Sequence, residues 1–280
     1  MKTVGAFFAN IGSPDHIHGA EGDYIGPDGR LTCGLCHTPK ERLLPFNGRW
    51  VPCLCACGLR RREAEERARE EAAEEQRVYE LQRYSIIDQR TKEATFETAE
   101  IRQDSVEAFR IAQTYVRRWD EIYTRDSGLN GLLFYGRPGS GKSYLAACIA
   151  NALIARRVPV LMTSIVKLTS APQDQVNDVL RQSRNARLLV LDDLGAERDT
   201  SFKLEQVFNI IDYRYASKRP LIVTTNLSME DMRNGVDTRY SRIFERVKAM
   251  CFPVLMDGAS WRQKQTAEAF EDMRRLLSGE

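Results

Sequence analysis

The residues best suited to chemistry lie in one stretch, Gly136-Arg137-Pro138-Gly139-Ser140-Gly141-Lys142-Ser143, which fits the pattern G-x-x-x-x-G-K-[ST]. Glycines at this spacing let the backbone wrap until successive N–H groups converge on one point, and a helix starting near Lys142 adds the positive end of its dipole. Such a cradle suits a β-phosphate. Lys142 is then placed to neutralise the β- and γ-phosphates, and the Ser143 hydroxyl offers an oxygen to magnesium, which takes octahedral oxygen ligands. An apolar run closing on two carboxylates follows, Leu188-Leu189-Val190-Leu191-Asp192-Asp193. Asp192 is the candidate for holding magnesium through water, and Asp193 for orienting or deprotonating an attacking water. A strand end of this kind is expected beside the phosphate loop, because ligands collect at the carboxyl edge of doubly wound sheets. A further run, Leu221 to Thr225, is followed by Asn226, which could reach the γ-phosphate or the water, a turn residue being the other reading. The pattern predicts ATP and Mg2+ as ligands.

A different chemistry is concentrated near the N-terminus. Of seven cysteines, five fall between residues 33 and 57, as Cys33-x-x-Cys36 and Cys53-x-Cys55-x-Cys57, separated by a segment containing Pro39, Pro45, Asn47 and Gly48. Two thiolate knuckles joined by a turn-rich loop build a tetrahedral Zn2+ site. Zinc takes four ligands; Cys33, Cys36, Cys53 and Cys55 are the expected set, with Cys57 or His37 as substitutes. The same thiolates could instead hold an iron–sulfur cluster. A module below about 40 residues lacks a core of its own, so a metal would supply its folding energy.

Positioning the phosphate site requires strands that end together. Leu132 to Tyr135, Val158 to Met162, Leu188 to Leu191 and Leu221 to Thr225 are short apolar runs alternating with helical stretches, the pattern of an α/β fold with a parallel sheet covered on both faces. Val106, Phe109, Ala112, Val116 and Trp119 are spaced for one buried helix face, and Leu204, Val207, Phe208, Ile211 and Tyr215 for another. Between the two chemistries, Arg60 to Arg77 holds six Arg and seven Glu without Gly or Pro. It predicts a solvated helix supported by Glu63–Arg67 and Glu65–Arg69 pairs. Residues 1 to about 30, rich in Gly and Pro, show no period and read as loop-rich. The expected organisation is 1–58 for the cysteine module, 59–90 for a charged linker helix and 91–280 for the main domain.

Composition narrows the setting. Hydrophobic residues at 42% and charged residues at 29% are ordinary for a globular protein and exclude wholesale disorder. No apolar run approaches the roughly 20 residues of a membrane span, and the N-terminus lacks a secretory signal, so the cytoplasm is the expected compartment and no membrane the expected partner. A net charge of +2 leaves any nucleic-acid contact to a local patch.

The order of the phosphate loop, L-L-V-L-D-D-L-G, S-K-R-P-L-I-V-T-T-N-L and S-R-I-F-E-R resembles AAA+ P-loop ATPases of the DnaC/DnaI helicase-loader group, with the IstB transposition helper as close kin, over about residues 90 to 265. The resemblance implies that Lys142 is the Walker A lysine, Asp192 and Asp193 the Walker B pair, and Asn226 the sensor-1 asparagine. It places the arginine finger within Arg242-Ile243-Phe244-Glu245-Arg246, Arg246 being the better match, and a sensor-2-like arginine at Arg262. Only about 18 residues follow Arg262, which implies a minimal or absent lid. Two departures matter. Asp193 stands where many such enzymes place Glu, which implies slow turnover. The stretch between Thr163 and Leu188 is short where related loaders insert residues toward single-stranded DNA; Lys167, Arg181, Arg184 and Arg187 are the basic candidates there, a solvated helix face being the other reading. A zinc module at the N-terminus also resembles DnaI-like loaders, where that end grips the helicase. Three functions are therefore expected: an ATP-dependent loader of a replicative hexameric DNA helicase that self-associates with ATP, a transposition helper binding duplex DNA and a transposase, or a nucleotide-gated adaptor with little hydrolysis. The cysteine module favours the first, and Asp193 keeps the third open.

Overall fold

The computed structural model describes residues 20–45, 48–85, 87–195, 201–234 and 238–278. The loop-rich reading of the first 30 residues therefore lies, for residues 1–19, outside the described ones. The chain divides into two compact units, Met1–Ala73 and Glu74–Glu280.

The first unit is built from two small antiparallel pairs, β1 (Tyr24–Ile25) with β2 (Leu31–Thr32) and β3 (Glu41–Leu43) with β4 (Trp50–Pro52), followed by the start of α1 (Ala56–Tyr84). Among the described residues its buried ones are few: Gly26, Leu31, Thr32, Cys33, Glu41 and Cys55. The Glu41 carboxylate accepts the Leu31 amide at 3.0 Å, a polar bond in place of a core. From Arg60 to Arg77 α1 is solvated, as its composition predicts. Its ion pairs run in the opposite order to the expected ones: Arg61–Glu65 at 4.0 Å and Arg62–Glu66 at 2.9 Å, while Arg67 donates its Nε to the Glu63 carbonyl at 3.2 Å. Exposed pairs differ by only a few tenths of a kcal/mol, too little to dictate a partner.

The second unit takes the end of α1, where Leu81 is fully buried, and continues through α2 (Gln89–Lys92), α3 (Val106–Arg117), α4 (Trp119–Tyr123), β5 (Gly131–Tyr135), α5 (Lys142–Ala155), β6 (Val160–Ser164), α6 (Ile165–Ser170), α7 (Gln173–Ser183), β7 (Leu188–Asp192), α8 (Ser201–Ala216), β8 (Leu221–Thr225), α9 (Asp231–Asn234), α10 (Thr238–Met250), β9 (Cys251–Leu255) and α11 (Trp261–Ser278). The strands form one parallel sheet in the order β6-β7-β8-β5-β9. Alternate residues go to opposite faces. Leu133, Leu191 and Val223 meet Leu204, Val207 and Ile211 of α8 and Ile243, Phe244 and Val247 of α10 on one side. On the other, Phe134, Val190 and Ile222 meet Leu145, Cys148 and Ile149 of α5 and Ala108, Ala112 and Tyr115 of α3. This is an α/β P-loop fold with a parallel sheet flanked by helices, and helix α11 follows the last strand.

Three details depart from the sequence expectation. On α3 the buried face is Ala108, Ala112 and Tyr115, continued by Trp119, while Val106 is 51% exposed; the small alanines let α3 approach α5 closely. On α8, Tyr215 is exposed and Arg214 is buried in its place, donating to the Ala186 carbonyl at 3.0 Å. The fifth strand, β9, is hidden in the sequence because Pro253 interrupts its apolar run; as an edge strand paired only with β5, it tolerates the missing donor. Among the described residues, no helix is long and apolar enough to cross a membrane.

Candidate functional site

At the carboxyl end of β5 the chain turns through Gly136, Gly139 and Gly141 with φ of 132°, 79° and 98°, a left-handed sequence that only glycine adopts without strain. Gly136 is required twice over, since a Cβ there would overlap the Met256 carbonyl, 2.8 Å from its carbon. Pro138 is exposed at the tip of the loop and Ser140 is buried beneath it. Lys142 opens α5 and is only 4% exposed; its Nζ donates to the Gly136 and Arg137 carbonyls at 2.9 and 2.7 Å. Burial holds the Lys142 ammonium below its ordinary pKa, against the pull of Asp193 and Asp192 and with the push of Arg262. The four side chains thus lie in one electrostatic field. Ser143 follows on the first turn of α5, half-buried.

The acidic strand end is placed differently from the expectation. β8 lies between β5 and β7, so Asp192 is one strand removed from the phosphate loop, and on that side the neighbour of β5 is β8. Asp193 turns to φ 59°, unusual for a residue with a side chain. Burial and then the Asp192 charge raise its carboxyl above the ordinary value, opposed by Arg262 and Lys142. Thr224 joins the pair: its hydroxyl accepts the Asp193 amide at 2.9 Å and donates to Asp192 Oδ1 at 2.6 Å. Its residue type alone carries no motif; the strand order is the signal that exposes it. Asn226, just past β8, is exposed.

Arg262 is brought in by a strap from β9. Met256 donates its amide to the Tyr135 carbonyl at 2.8 Å, and Trp261 donates its amide to the Gly139 carbonyl at 2.9 Å. Arg137 and Asp257 pair at 2.9 Å. The Arg102 guanidinium lies 3.6 Å over the Trp261 ring and donates to the Ala259 carbonyl at 2.6 Å, while Asp104 accepts the Ala259 amide. Arg262 follows in the first turn of α11 and is exposed.

Arg242 and Arg246 share one face of α10 and stack on Phe208, at 4.6 and 5.1 Å from its ring centre. Arg246, the better sequence match for a finger, is tied further within its own chain, to the Asp212 carboxylate and over Tyr215. Arg242 is exposed. The basic candidates for DNA are engaged as well: Arg181 with Asp178 at 2.7 Å, Arg187 with Glu74 at 2.9 Å, and Arg184 over Tyr213. Lys167 is exposed on α6.

In the first unit the sulfurs of Cys33, Cys36, Cys55 and Cys57 all lie within 4.8 Å of one another. Cys57 to Cys33 is 3.6 Å and to Cys55 3.3 Å, close to the edge of about 3.8 Å that a tetrahedral zinc with Zn–S near 2.3 Å demands. Backbone amides of Cys36 and Leu35 hold the Cys33 thiol below its usual value, and the Thr38 hydroxyl and Cys57 amide bring Cys36 down to about 5. Bonds from its three neighbours push Cys57 up to about 12. A thiol set that already favours thiolate in part suits a cation that displaces the rest of the protons. The expected ligand Cys53 is not in the cluster: it is exposed and its Sγ faces the Pro39 carbonyl at 3.6 Å. Cys57 takes its place because α1 begins at Ala56, whose amide donates to Thr38 Oγ1 at 2.8 Å and folds the first helical turn onto the knuckle. His37, the other substitute, turns its Nδ1 to the Tyr24 hydroxyl at 3.1 Å.

The replicative helicase loader DnaC of Escherichia coli strain K12 is 27% identical over 176 residues, covering 60% of this chain and 68% of that protein. The replicative helicase loader DnaI of Bacillus subtilis strain 168 is 25% identical over 198 residues, covering 65% of this chain and 62% of that protein. The crystal structure of the DnaI superposes with a TM-score of 0.50 at 26% identity, over 61% of this chain and 95% of that one. The profile described as IstB-like ATP binding protein matches residues 67–269, which takes in the phosphate loop, both acidic residues, Asn226 and Arg262 and leaves the cysteine cluster outside. Loop, acidic strand end and strap therefore converge on one assignment: the chain belongs to the family of IstB-like ATP binding proteins.

Proposed function

We propose that this protein is an ATP-hydrolysing loader that engages and remodels a replicative hexameric DNA helicase in the cytoplasm at the start of DNA replication. The observation that carries the reading is that relatives named replicative helicase loaders align with the unit in which Lys142, Asp192, Asp193 and Arg262 share one field. The thiol cluster, outside the span that the family matches, supports a partner-gripping module.

In this reading the loop amides take the β-phosphate, and Lys142 exchanges the carbonyls of Gly136 and Arg137 for β- and γ-phosphate oxygens. Ser143 and Asp192 are oxygen donors suited to Mg2+, which neutralises charge across those phosphates. Asp193 orients the attacking water or accepts its proton, and Asn226 reaches the water or the γ-phosphate. Arg262 meets charge developing on the phosphoryl oxygens. Asp193, a methylene shorter than Glu, keeps turnover slow. Arg242 and Arg246 act on the nucleotide of a neighbouring subunit when ATP drives self-association. Arg246 must first leave Asp212, which makes Arg242 the readier of the two. Cys33, Cys36, Cys55 and Cys57 would hold Zn2+, which supplies the folding energy of a unit with so small a core. Single-stranded DNA is reached through Lys167 and the arginines of α7 and its flank.

The test is affinity purification from the native host, with Lys142→Ala as the control that binds no ATP. Copurification of a replicative helicase is the expected result. A transposase in its place would favour the second reading, a transposition helper, for which the family assignment speaks.

A further inference from the structure

The two carboxylates of the acidic strand end are not held by their own strand. β7 and β8 pair in parallel with Leu189 opposite Leu221, Val190 opposite Ile222 and Leu191 opposite Val223, so the next position sets Asp192 against Thr224. There the ladder gives way to side-chain bonding. Asp193 leaves the extended conformation for φ 59°, and its amide, turned off the ladder, is taken by the Thr224 hydroxyl at 2.9 Å. The same hydroxyl gives its only proton to Asp192 Oδ1 at 2.6 Å. Two more bonds lock the turn to β8: Leu194 donates its amide to the Thr224 carbonyl at 2.9 Å, and Thr225 donates its hydroxyl to the Leu194 carbonyl at 2.6 Å. Thr224 is fully buried, so water does not compete for these bonds. Its branched Cβ also restricts χ1, which fixes the direction in which the hydroxyl points.

We propose that Thr224 is a positioning residue that sets both carboxylates through one hydroxyl. It occupies Oδ1 of Asp192, so Oδ2 is the oxygen that would be offered to magnesium, and it pins the left-handed turn from which the Asp193 carboxylate projects. The strand order makes this unavoidable for β8: it is the strand between the phosphate loop and the acidic pair, and Thr224 is its residue level with Asp192. The inference rests on reading the chain as a magnesium-dependent ATPase.

Thr224→Val keeps the shape and removes both bonds, whereas Thr224→Ser keeps both bonds and removes a methyl. Affinity for a fluorescent ATP analogue is measured with EDTA and with Mg2+, alongside turnover. The Val variant is expected to bind the analogue in EDTA within about twofold of wild type, which also shows that it folds. It is expected to lose roughly 10- to 100-fold of the gain that Mg2+ adds, the worth of a hydrogen bond to a charged group, and to lose turnover at least as much. The Ser variant should recover both to within about threefold. Placed on an Asp192→Asn background, Thr224→Val should cost little further Mg2+ dependence, because the carboxylate through which Thr224 acts is already gone. If the Val variant binds poorly even in EDTA, Thr224→Ala is read in the same comparison. A Val or Ala variant with wild-type Mg2+ dependence overturns the proposal, and so does a Ser variant as defective as Val, which would make packing the cause. Wild-type protein that gains no affinity from Mg2+ instead overturns the ATPase reading itself, a failure seen before any variant is made.

Discussion

Replacing Cys57 by Ser removes one of four clustered sulfurs, whereas replacing Cys53 by Ser removes a thiol outside the cluster. The spacings of 3.6 and 3.3 Å that Cys57 makes to Cys33 and Cys55 need to open only slightly to meet a tetrahedral zinc edge of about 3.8 Å. Structural zinc sites bind with roughly 10–16 kcal/mol. An even share among four ligands is about 2.5–4 kcal/mol, which corresponds to about 10²–10³ in affinity. Titration against chelator-buffered zinc, with elemental analysis after dialysis, should find one zinc per chain in wild type and Cys53→Ser. Cys57→Ser should bind more weakly by that factor. Thiol counting reads the same arrangement independently. The loaded protein should show one fast thiol, Cys53, and chelation should release four more. Cys148, which burial pushes up to about 12, and Cys251, fully buried and pushed higher, should react only on unfolding. Loss of metal in Cys53→Ser, or wild-type affinity in Cys57→Ser, would refute the assignment.

Gly136→Ala should cost about 2–5 kcal/mol from a strained φ and overlap with the Met256 carbonyl, a melting-temperature drop of roughly 4–20 °C; a shift near zero would mean the loop and strap do not touch. Asp193→Asn should keep nucleotide binding and lower hydrolysis, and unchanged turnover would leave Asp193 as a turn residue only. Arg242→Ala and Arg246→Ala should each bind ATP as wild type does, and the one that serves a neighbour should lose about a thousandfold of stimulated hydrolysis. That variant should regain activity when mixed with Lys142→Ala; if neither does, the shared site is wrong.

The phosphate loop is legible in sequence because every requirement on it is local: glycines where the chain turns left-handed, and a lysine at the first turn of a helix. Asp192 and Asp193 are legible as a strand end, but their distance from the loop is not, since the insertion of β8 between β5 and β7 is a property of the sheet. Thr224 escapes for the same reason, and β9 because Pro253 makes an edge strand read as a loop. Among the cysteines, spacing makes Cys53 and Cys57 equivalent. What separates them is the start of α1 at Ala56, which folds Cys57 back while Cys53 stays on the ladder through its amide bond to Lys40.

The strap carries a mechanical consequence. α11 is rooted where the Trp261 amide meets the Gly139 carbonyl, and from there it runs 18 residues, or about 27 Å. Its outer half bears Phe270, Met273, Leu276 and Leu277, all largely exposed. In a rod of this length, a tilt of about 10° at the root would sweep the far end through about 5 Å. A small shift at the strap would thereby be geared up to a movement as long as a side chain at the apolar strip on its far end.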